Sequence, residues 1–192
     1  MRFLTLVVLL TILSLQACAE RDLWPAEHLD QQTAVNITVM AEPWVYFRDA
    51  PMLAANARDY LNVGVIEINR AGTREYWLGV ISWSTIDRSV IAGAGLPIQP
   101  RKVRLHWLAA SLELTPVSDG RQSVGLSDPL FVEPQSKFTE AWYRLSIEQL
   151  AQLGKSAPAG VSLIGEAGQQ TGFEQWRVNA VAMEQFQEAT GF

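Results

Sequence analysis

Two long apolar runs joined by a short turn constrain the fold of this chain more than any other feature. They are YLNVGVIEIN and TREYWLGVISWS, at residues 60–69 and 73–84. Valine, isoleucine, tyrosine and tryptophan favour β-strands, and the polar turn between the runs predicts a β-hairpin. Because both faces of both runs are largely apolar, we expect these strands to be central and covered on both sides.

The turn predicts the register of this hairpin. Asn69 suits the first position of a type I turn, and Gly72 suits the left-handed position that completes a three-residue loop with a bulge. We therefore expect Val65 to pair with Trp77. A two-residue loop at residues 71–72 would instead shift the pairing by one residue and exchange the partners. In the expected register, one buried face carries Val63, Val65, Trp77 and Ile81.

Shorter strands and two helices are expected along the rest of the chain. Alternation of apolar and polar residues predicts strands within residues 34–47, 103–107, 111–114, 137–145, 161–165 and 173–179. Ser146 and Gln149 form a capping-box pattern for a helix that ends near Gly154, and Asn179 caps a final helix at residues 180–190. The sequence therefore predicts a mainly β fold, an antiparallel β-sandwich or open barrel with one or two short helices.

The chain begins with a leader. Residues 3–15 are almost entirely apolar and follow a single positive charge at Arg2. The run is too short to cross a hydrocarbon core of about 30 Å, so we interpret it as a cleavable signal peptide. The polar and charged residues 19–33 that follow predict a tether between the leader and the globular part.

The end of this leader, Leu15-Gln16-Ala17-Cys18, resembles the lipobox of bacterial lipoproteins. In that family the chain is cut before the cysteine, whose thiol is diacylated and whose new amino terminus is usually acylated too. The resemblance implies that Cys18 is a lipidation site that attaches the protein to a membrane, since stable anchoring takes more than one acyl chain. The next residue is not the aspartate that retains lipoproteins in the inner membrane, which implies an outer-membrane location, on the periplasmic face or at the cell surface.

Three segments follow from this interpretation: a signal peptide at residues 1–17, a lipidated N-terminus and tether at residues 18–33, and a single β-rich domain at residues 34–192. Without the leader, the chain carries 14 Lys+Arg against 20 Asp+Glu. This acidic balance, with no run of basic residues, makes nucleic acid and anionic lipid headgroups poor partners.

Catalytic and metal-binding patterns are weak. Acylation of Cys18 would leave no cysteine nucleophile, and the two histidines, His28 in the tether and His106 on the polar face of a strand, predict solvated side chains. The GLSDP stretch at residues 125–129 has proline where a nucleophile elbow needs its second glycine. We therefore expect no enzymatic activity, no metal and no cofactor.

One carboxylate pair leaves two interpretations open. In the expected hairpin register Glu67 faces Glu75, and two close carboxylates can divide the roles of acid and base. The alternative is that both occupy the solvated end of a hairpin near its turn. We favour this second interpretation.

Tryptophan is abundant, with seven residues in the chain. Strand patterns place four of them in the core: Trp77, Trp83, Trp107 and Trp176. The others have the better claim to be exposed: Trp24, Trp44 and Trp142. Because interfaces concentrate their energy in aromatic and arginine residues, we predict that part of the following set forms an exposed partner-binding patch: Trp44, Tyr46, Arg48, Trp142 and Tyr143.

These observations lead to three hypotheses of function. The first is a non-enzymatic lipoprotein that serves as an accessory, assembly or protein-interaction subunit of the cell envelope, with another envelope protein as its partner. The second is a glycan- or small-ligand-binding module, which a concave row of exposed tryptophans would support. The third is a lipid-anchored hydrolase, which would need two carboxylates within about 10 Å in a cleft.

Overall fold

The computed structural model describes residues 23–51, 54–87, 102–117, 120–127, 129–131 and 138–192. The predicted signal peptide and Cys18 lie outside these residues. The strands are β1 (Ala26–Asp30), β2 (Val35–Val39), β3 (Trp44–Asp49), β4 (Arg58–Arg70), β5 (Thr73–Ser84), β6 (Lys102–His106), β7 (Ser111–Leu114), β8 (Phe138–Leu145), β9 (Gly160–Ile164) and β10 (Gln170–Arg177). The helices are α1 (Arg121–Val124), α2 (Ile147–Lys155) and α3 (Ala180–Thr190).

All the strands belong to one open antiparallel sheet, and its centre is the long hairpin of β4 and β5. Beyond β5 the sheet continues to β8. On the other side of β4, β2 pairs with the C-terminal part of β4 and β3 pairs with its N-terminal part. From β2 the sheet continues to β1, and from β3 it continues through β10, β9 and β6 to β7. This architecture confirms the predicted mainly β fold with short helices.

The sheet curls around its larger core. The backbone N–H of Val117, three residues after β7 ends, donates to the carbonyl oxygen of Trp142 on β8 at 3.0 Å. This hydrogen bond joins the two distant ends of the strand order. The inner face of the sheet then buries one cluster that includes Trp44, Tyr46, Val63, Leu78, Leu105, Tyr143, Val161 and Phe173.

Helices α2 and α3 complete this inner core, and both begin as the sequence predicts. The side chain of Ser146 accepts a hydrogen bond from the Gln149 backbone and that of Gln149 accepts one from the Ser146 backbone, which is a capping box. Asn179 caps α3, which ends at Gly191 with φ of 67°. The two helices contact each other and bury Leu150, Leu153, Ala182, Met183 and Phe186 in the inner cluster.

A second cluster covers part of the outer face of the sheet. It buries Ile37 of β2, Ile66 of β4 and Trp77 of β5 together with Trp142 and Phe131. The outer surface of the hairpin has glycine where the two large rings lie, and a Cβ atom at Gly64 would overlap the Phe131 ring while one at Gly79 would press on the Trp142 ring. We call this region the covered end of the outer face.

Residues 121–127 and 129–131 supply the cover, and we call them the cover segment. Polar contacts between three pairs of residues attach it to the sheet. Arg70 donates to the carbonyl oxygen of Val124 at 2.6 Å, and Asp30 accepts hydrogen bonds from the backbone and the hydroxyl of Ser127 at 2.9 and 2.7 Å. Arg121 lies 3.4 Å from Glu140 of β8.

The register of the hairpin differs from the expected one. Arg70 pairs with Thr73, so the loop has two residues, Ala71 and Gly72, with φ of 49° and 90°. Positive φ at Gly72 was predicted and is confirmed. Positive φ at both loop residues is typical of a type I′ turn, whose twist matches that of the flanking strands, and this explains why the shorter loop forms. The Asn69 side chain accepts a hydrogen bond from the Gly72 backbone at 2.9 Å.

This shift by one residue exchanges the partners along the whole hairpin. Val65 pairs with Leu78, and Trp77 pairs with Ile66. The prediction of a single face that carries Val63, Val65, Trp77 and Ile81 is therefore wrong. All four side chains are buried, but the two valines lie in the inner cluster, whereas Trp77 and Ile81 lie in the outer one.

The predicted tether is also too long at its C-terminal end. Residues 26–30 form β1, which makes a five-residue antiparallel ladder with β2. The Asp30 side chain accepts backbone hydrogen bonds from Gln32 and Thr33 in the turn that follows, so the hairpin of β1 and β2 is locally stabilised.

Candidate functional site

The predicted partner-binding patch does not form. The prediction that part of the set forms an exposed patch is wrong, because four of its members are buried: Trp44, Tyr46, Trp142 and Tyr143. The two residues of β3 and Tyr143 of β8 lie in the inner cluster, and Trp142 lies in the outer one above Gly79. The hydroxyl of Tyr46 is buried as well, and it donates a hydrogen bond to the carbonyl oxygen of Pro158 at 2.9 Å.

Arg48, the fifth residue of that set, is partly exposed at the end of β3. It forms an ion pair with the buried Asp59 at 2.7 Å, and its guanidinium lies 5.7 Å from the centre of the Phe173 ring. These contacts give Arg48 a structural role within the sheet.

A group of partly exposed aromatic rings lies instead on the outer face, beyond the cover segment. Tyr60 of β4 and Trp83 of β5 are directly opposite each other, and their rings stack at 4.5 Å with planes 15° apart. Trp176 of β10 is 54% exposed and meets Phe47 edge-on at 5.1 Å and Tyr60 at 6.3 Å. We call these four residues the open end of the outer face.

Sequence reasoning missed this group because it placed Trp83 and Trp176 in the core. Trp83 is half-buried and Trp176 is largely exposed. The alternation of β10 could have identified the position of Trp176. Phe173 points inward, so Trp176, three positions later on an alternating strand, points outward. An irregularity of register between Gln175 and Arg177 places Trp176 where β10 bends.

A cleft of about 500 Å³ opens between the exposed rings and the cover segment. We call it the aromatic cleft. Trp83, Tyr60 and Trp176 contribute its rings, and Asn62 and Val45 extend its floor along the sheet. Residues of the cover segment, of β1 and of the turn before β3 complete its lining, among them Phe131, His28 and Glu42.

The charges around this cleft are paired with each other. The Arg58 guanidinium lies 5.4 Å from the centre of the Phe47 ring and 5.2 Å from that of Trp176, and it forms an ion pair with Asp49 at 2.9 Å. Hydrogen bonds with Tyr60 and Asp49 raise the pKa of Arg58 above its ordinary value. At the other side, Arg177 lies 3.3 Å from Glu42.

A second cleft, of about 700 Å³, lies on the same face beyond Phe47. We call it the polar cleft. His106 and the buried Ser162 form a hydrogen bond across it at 2.8 Å, and Glu174 and two glycines, Gly160 and Gly172, also line it. His106 was expected to be solvated, and the structure instead places it half-buried with a serine partner.

The pair of His106 and Ser162 lacks the surroundings of a serine hydrolase site. Ser162 lies in the middle of β9, in register with β6 on one side and with β10 on the other. Its backbone N–H is therefore part of the sheet ladder and is not available as an oxyanion donor.

The carboxylates of the hairpin are not a pair. Glu67 lies opposite Tyr76, and Glu75 lies opposite Ile68, so the two side chains point to opposite faces. Glu67 is buried, which contradicts its expected position at a solvated end, and lies 3.6 Å from Arg74. Burial, together with a hydrogen bond to Glu67, raises the pKa of Tyr76. Glu75 forms an ion pair with Arg144 at 2.9 Å.

Within the described ranges, no three His, Cys, Asp or Glu residues are grouped so that they could hold a metal ion. The helices of the described part are all too short or too polar to span a bilayer. Comparison with known proteins finds no family model, no curated protein and no solved structure that matches this chain.

Proposed function

We propose that this chain is a lipid-anchored protein of the cell envelope that acts by binding and not by catalysis, and that the aromatic cleft is its binding site. The observation that carries this proposal is the group of three rings, Tyr60, Trp83 and Trp176, along a cleft of about 500 Å³. Binding sites for small molecules in proteins have volumes of this order and combine aromatic walls with a few polar groups.

The cleft favours a glycan or another small ligand over a protein partner. An exposed aromatic ring such as that of Trp176 can stack on the apolar face of a sugar ring, and the Asn62 amide and the paired charges nearby can exchange hydrogen bonds with hydroxyl groups. The hypothesis of a protein-interaction subunit rested on the anchor and the weak catalytic patterns, and the aromatic patch of β3 and β8 that was predicted as its binding surface lies in the core. We therefore place the glycan- or small-ligand-binding module first.

Two exposed tryptophans allow a controlled test of the binding site. Trp176 lines the aromatic cleft, whereas Trp24 is 49% exposed and lies outside its lining. We expect Trp176→Ala to weaken binding of soluble oligosaccharides to the full chain by about tenfold or more, which corresponds to about 1.4 kcal/mol. Trp24→Ala serves as the control and should bind like the wild type. Isothermal titration calorimetry measures both. Equal affinities in the two variants would contradict the proposed site.

The lipid anchor has a separate test. The lipobox supports acylation of Cys18, and a serine at that position cannot carry the thioether-linked lipid. We expect Cys18→Ser to move the protein from the outer-membrane fraction to the soluble periplasmic fraction, and mass spectrometry of the wild type to show acyl chains on Cys18. Retention of the variant in membranes, with no acyl mass on the wild type, would overturn the proposed anchor.

A further inference from the structure

We infer that the ligand of this protein is an extended, uncharged glycan chain that lies across the strands and occupies the aromatic and polar clefts together. This inference rests on the proposed function, and it adds the class of ligand and the extent of the site. It begins from the register of the sheet. One continuous row of directly opposed, outward-facing residues runs across six strands: Trp83, Tyr60, Phe47, Glu174, Gly160 and His106.

The length of this row sets the size of the ligand. Neighbouring strands lie about 4.8 Å apart, so a row that crosses six strands is about 24 Å long. That length exceeds a single sugar ring several times over. A chain of several rings would therefore contact both clefts at once, and Trp176 would lie beneath its middle, where the aromatic cleft meets Phe47.

The row changes in chemistry along its length. Its first half consists of aromatic rings, which offer apolar surface, although Tyr60 and Trp83 each use one ring face in stacking on the other. Its second half offers the Glu174 carboxylate, the hydrogen-bonded pair of His106 and Ser162, and a floor without side chains at Gly160 and Gly172. Stacking surface followed by hydrogen-bonding groups suits a polyhydroxylated chain, whose rings have apolar faces and polar edges.

Charge and backbone geometry argue against other polymers. The cations near the row are already paired with carboxylates. Arg58 pairs with Asp49, Arg177 with Glu42, and Arg48, which lines the polar cleft, with Asp59, so the row offers a polyanion little attraction. An extended peptide usually binds by adding a strand to a sheet edge. This row instead crosses strands that pair on both sides from β4 to β9, so their backbone groups are used within the sheet.

Gly172 makes the inference testable without disturbing the fold. A Cβ atom at this position would be 4.0 Å from the Ser162 hydroxyl, so a larger side chain has room and would project into the polar cleft. Gln170 lies on the same strand and the same face but lines neither cleft. Gly172→Val therefore blocks the polar cleft, and Gln170→Val is its matched control.

The experiment measures the affinity of the full chain, purified in detergent, for chito-oligosaccharides from the monosaccharide to the hexasaccharide. We expect the affinity of the wild type to rise with chain length. Gly172→Val should lose about tenfold in affinity for the hexasaccharide and keep the wild-type affinity for the disaccharide, whereas Gln170→Val should match the wild type throughout.

The outcomes separate this inference from the proposed function. If short oligosaccharides bind and Trp176→Ala abolishes that binding, but chain length and Gly172→Val have no effect, the site ends at the aromatic cleft and the extended chain is wrong. If no glycan of any length binds to the wild type, the proposed function itself is wrong. A protein partner that binds the wild type but not Gly172→Val, and that no glycan displaces, would also overturn the glycan as the occupant of the row.

Discussion

The covered and open ends of the outer face use the same strand and the same pattern but differ in accessibility. Trp77 and Trp83 both point outward from β5, six residues apart. Trp77 is buried in the outer cluster, whereas Trp83 is half-buried and stacks on Tyr60 at the edge of the aromatic cleft. The difference comes from the cover segment, which packs over Trp77 and ends at the cleft beside Trp83. Alternation therefore decides which face a tryptophan joins, and distant residues decide whether it is buried.

The largest expected effect concerns the covered end. Trp142→Ala removes a buried ring that lies above Gly79 and donates from its indole to Glu140 at 2.6 Å. We expect a loss of about 3–5 kcal/mol in the free energy of unfolding because the ring leaves a cavity. Urea denaturation measures it. The control, Trp176→Ala at the open end, should lose less than about 1 kcal/mol, since that ring is 54% exposed. Similar losses in both variants would remove the distinction between the two ends.

A smaller effect is expected from adding one methyl group at glycine positions. Gly64→Ala places a Cβ atom inside the Phe131 ring of the cover segment, and we expect a loss of about 1–3 kcal/mol from overpacking. Gly172→Ala in the polar cleft, outside the covered end, adds a Cβ atom with room around it, so we expect a change within about 0.5 kcal/mol. Thermal unfolding of both variants checks this contrast, and a stable Gly64→Ala would show that the cover segment is loosely held.

Acid should weaken the covered end, where Asp30 accepts hydrogen bonds from the cover segment. Hydrogen bonds from the Ser127 hydroxyl and backbone, and from the Thr33 backbone, hold the pKa of Asp30 well below its ordinary value of 3.8. The charged form is favoured in the folded state, so its stabilisation is complete above that value and is lost as the pH falls below it. We expect Asp30→Asn to reduce the stability at neutral pH and to flatten its decline in acid. An unchanged decline would place the acid-sensitive group elsewhere.

The smallest effects concern two buried tyrosines of the inner core. Tyr46→Phe loses the hydrogen bond to Pro158 and should cost about 1 kcal/mol. The Tyr143 hydroxyl is buried, and the described residues offer it no hydrogen-bond partner, so Tyr143→Phe should be neutral or slightly stabilising. Burial raises the pKa of both groups well above 10, so the wild type should lose stability as the pH rises beyond that value. The double variant should lose less, and chemical denaturation at pH 8 and 11 compares them.

The fold could be predicted from local signals, but the candidate site could not. Capping residues such as Ser146 and Asn179 and the alternation of the strands identified the helices and the sheet, because those signals act within a few residues. The hairpin register depended on whether Ala71 adopts positive φ, which a non-glycine residue rarely does. The correct register would have paired Trp83 with Tyr60, but the aromatic cleft also needs Trp176 of β10 and the cover segment, whose positions depend on contacts between distant parts of the chain.

The pairing of β3 with β10 has a consequence for how the molecule forms. It pairs Val45 with Arg177, which are far apart in the sequence. The edge of β3 that faces β10 is therefore paired only after these two distant segments have come together. Proteins dominated by pairings between distant residues fold slowly, because loop closure must precede the contacts that reward it. The strands of the β4 and β5 hairpin are adjacent in sequence, whereas Trp176 meets Tyr60 only after β10 has paired with β3. We therefore expect the aromatic cleft to be completed late in folding, after the hairpin has formed.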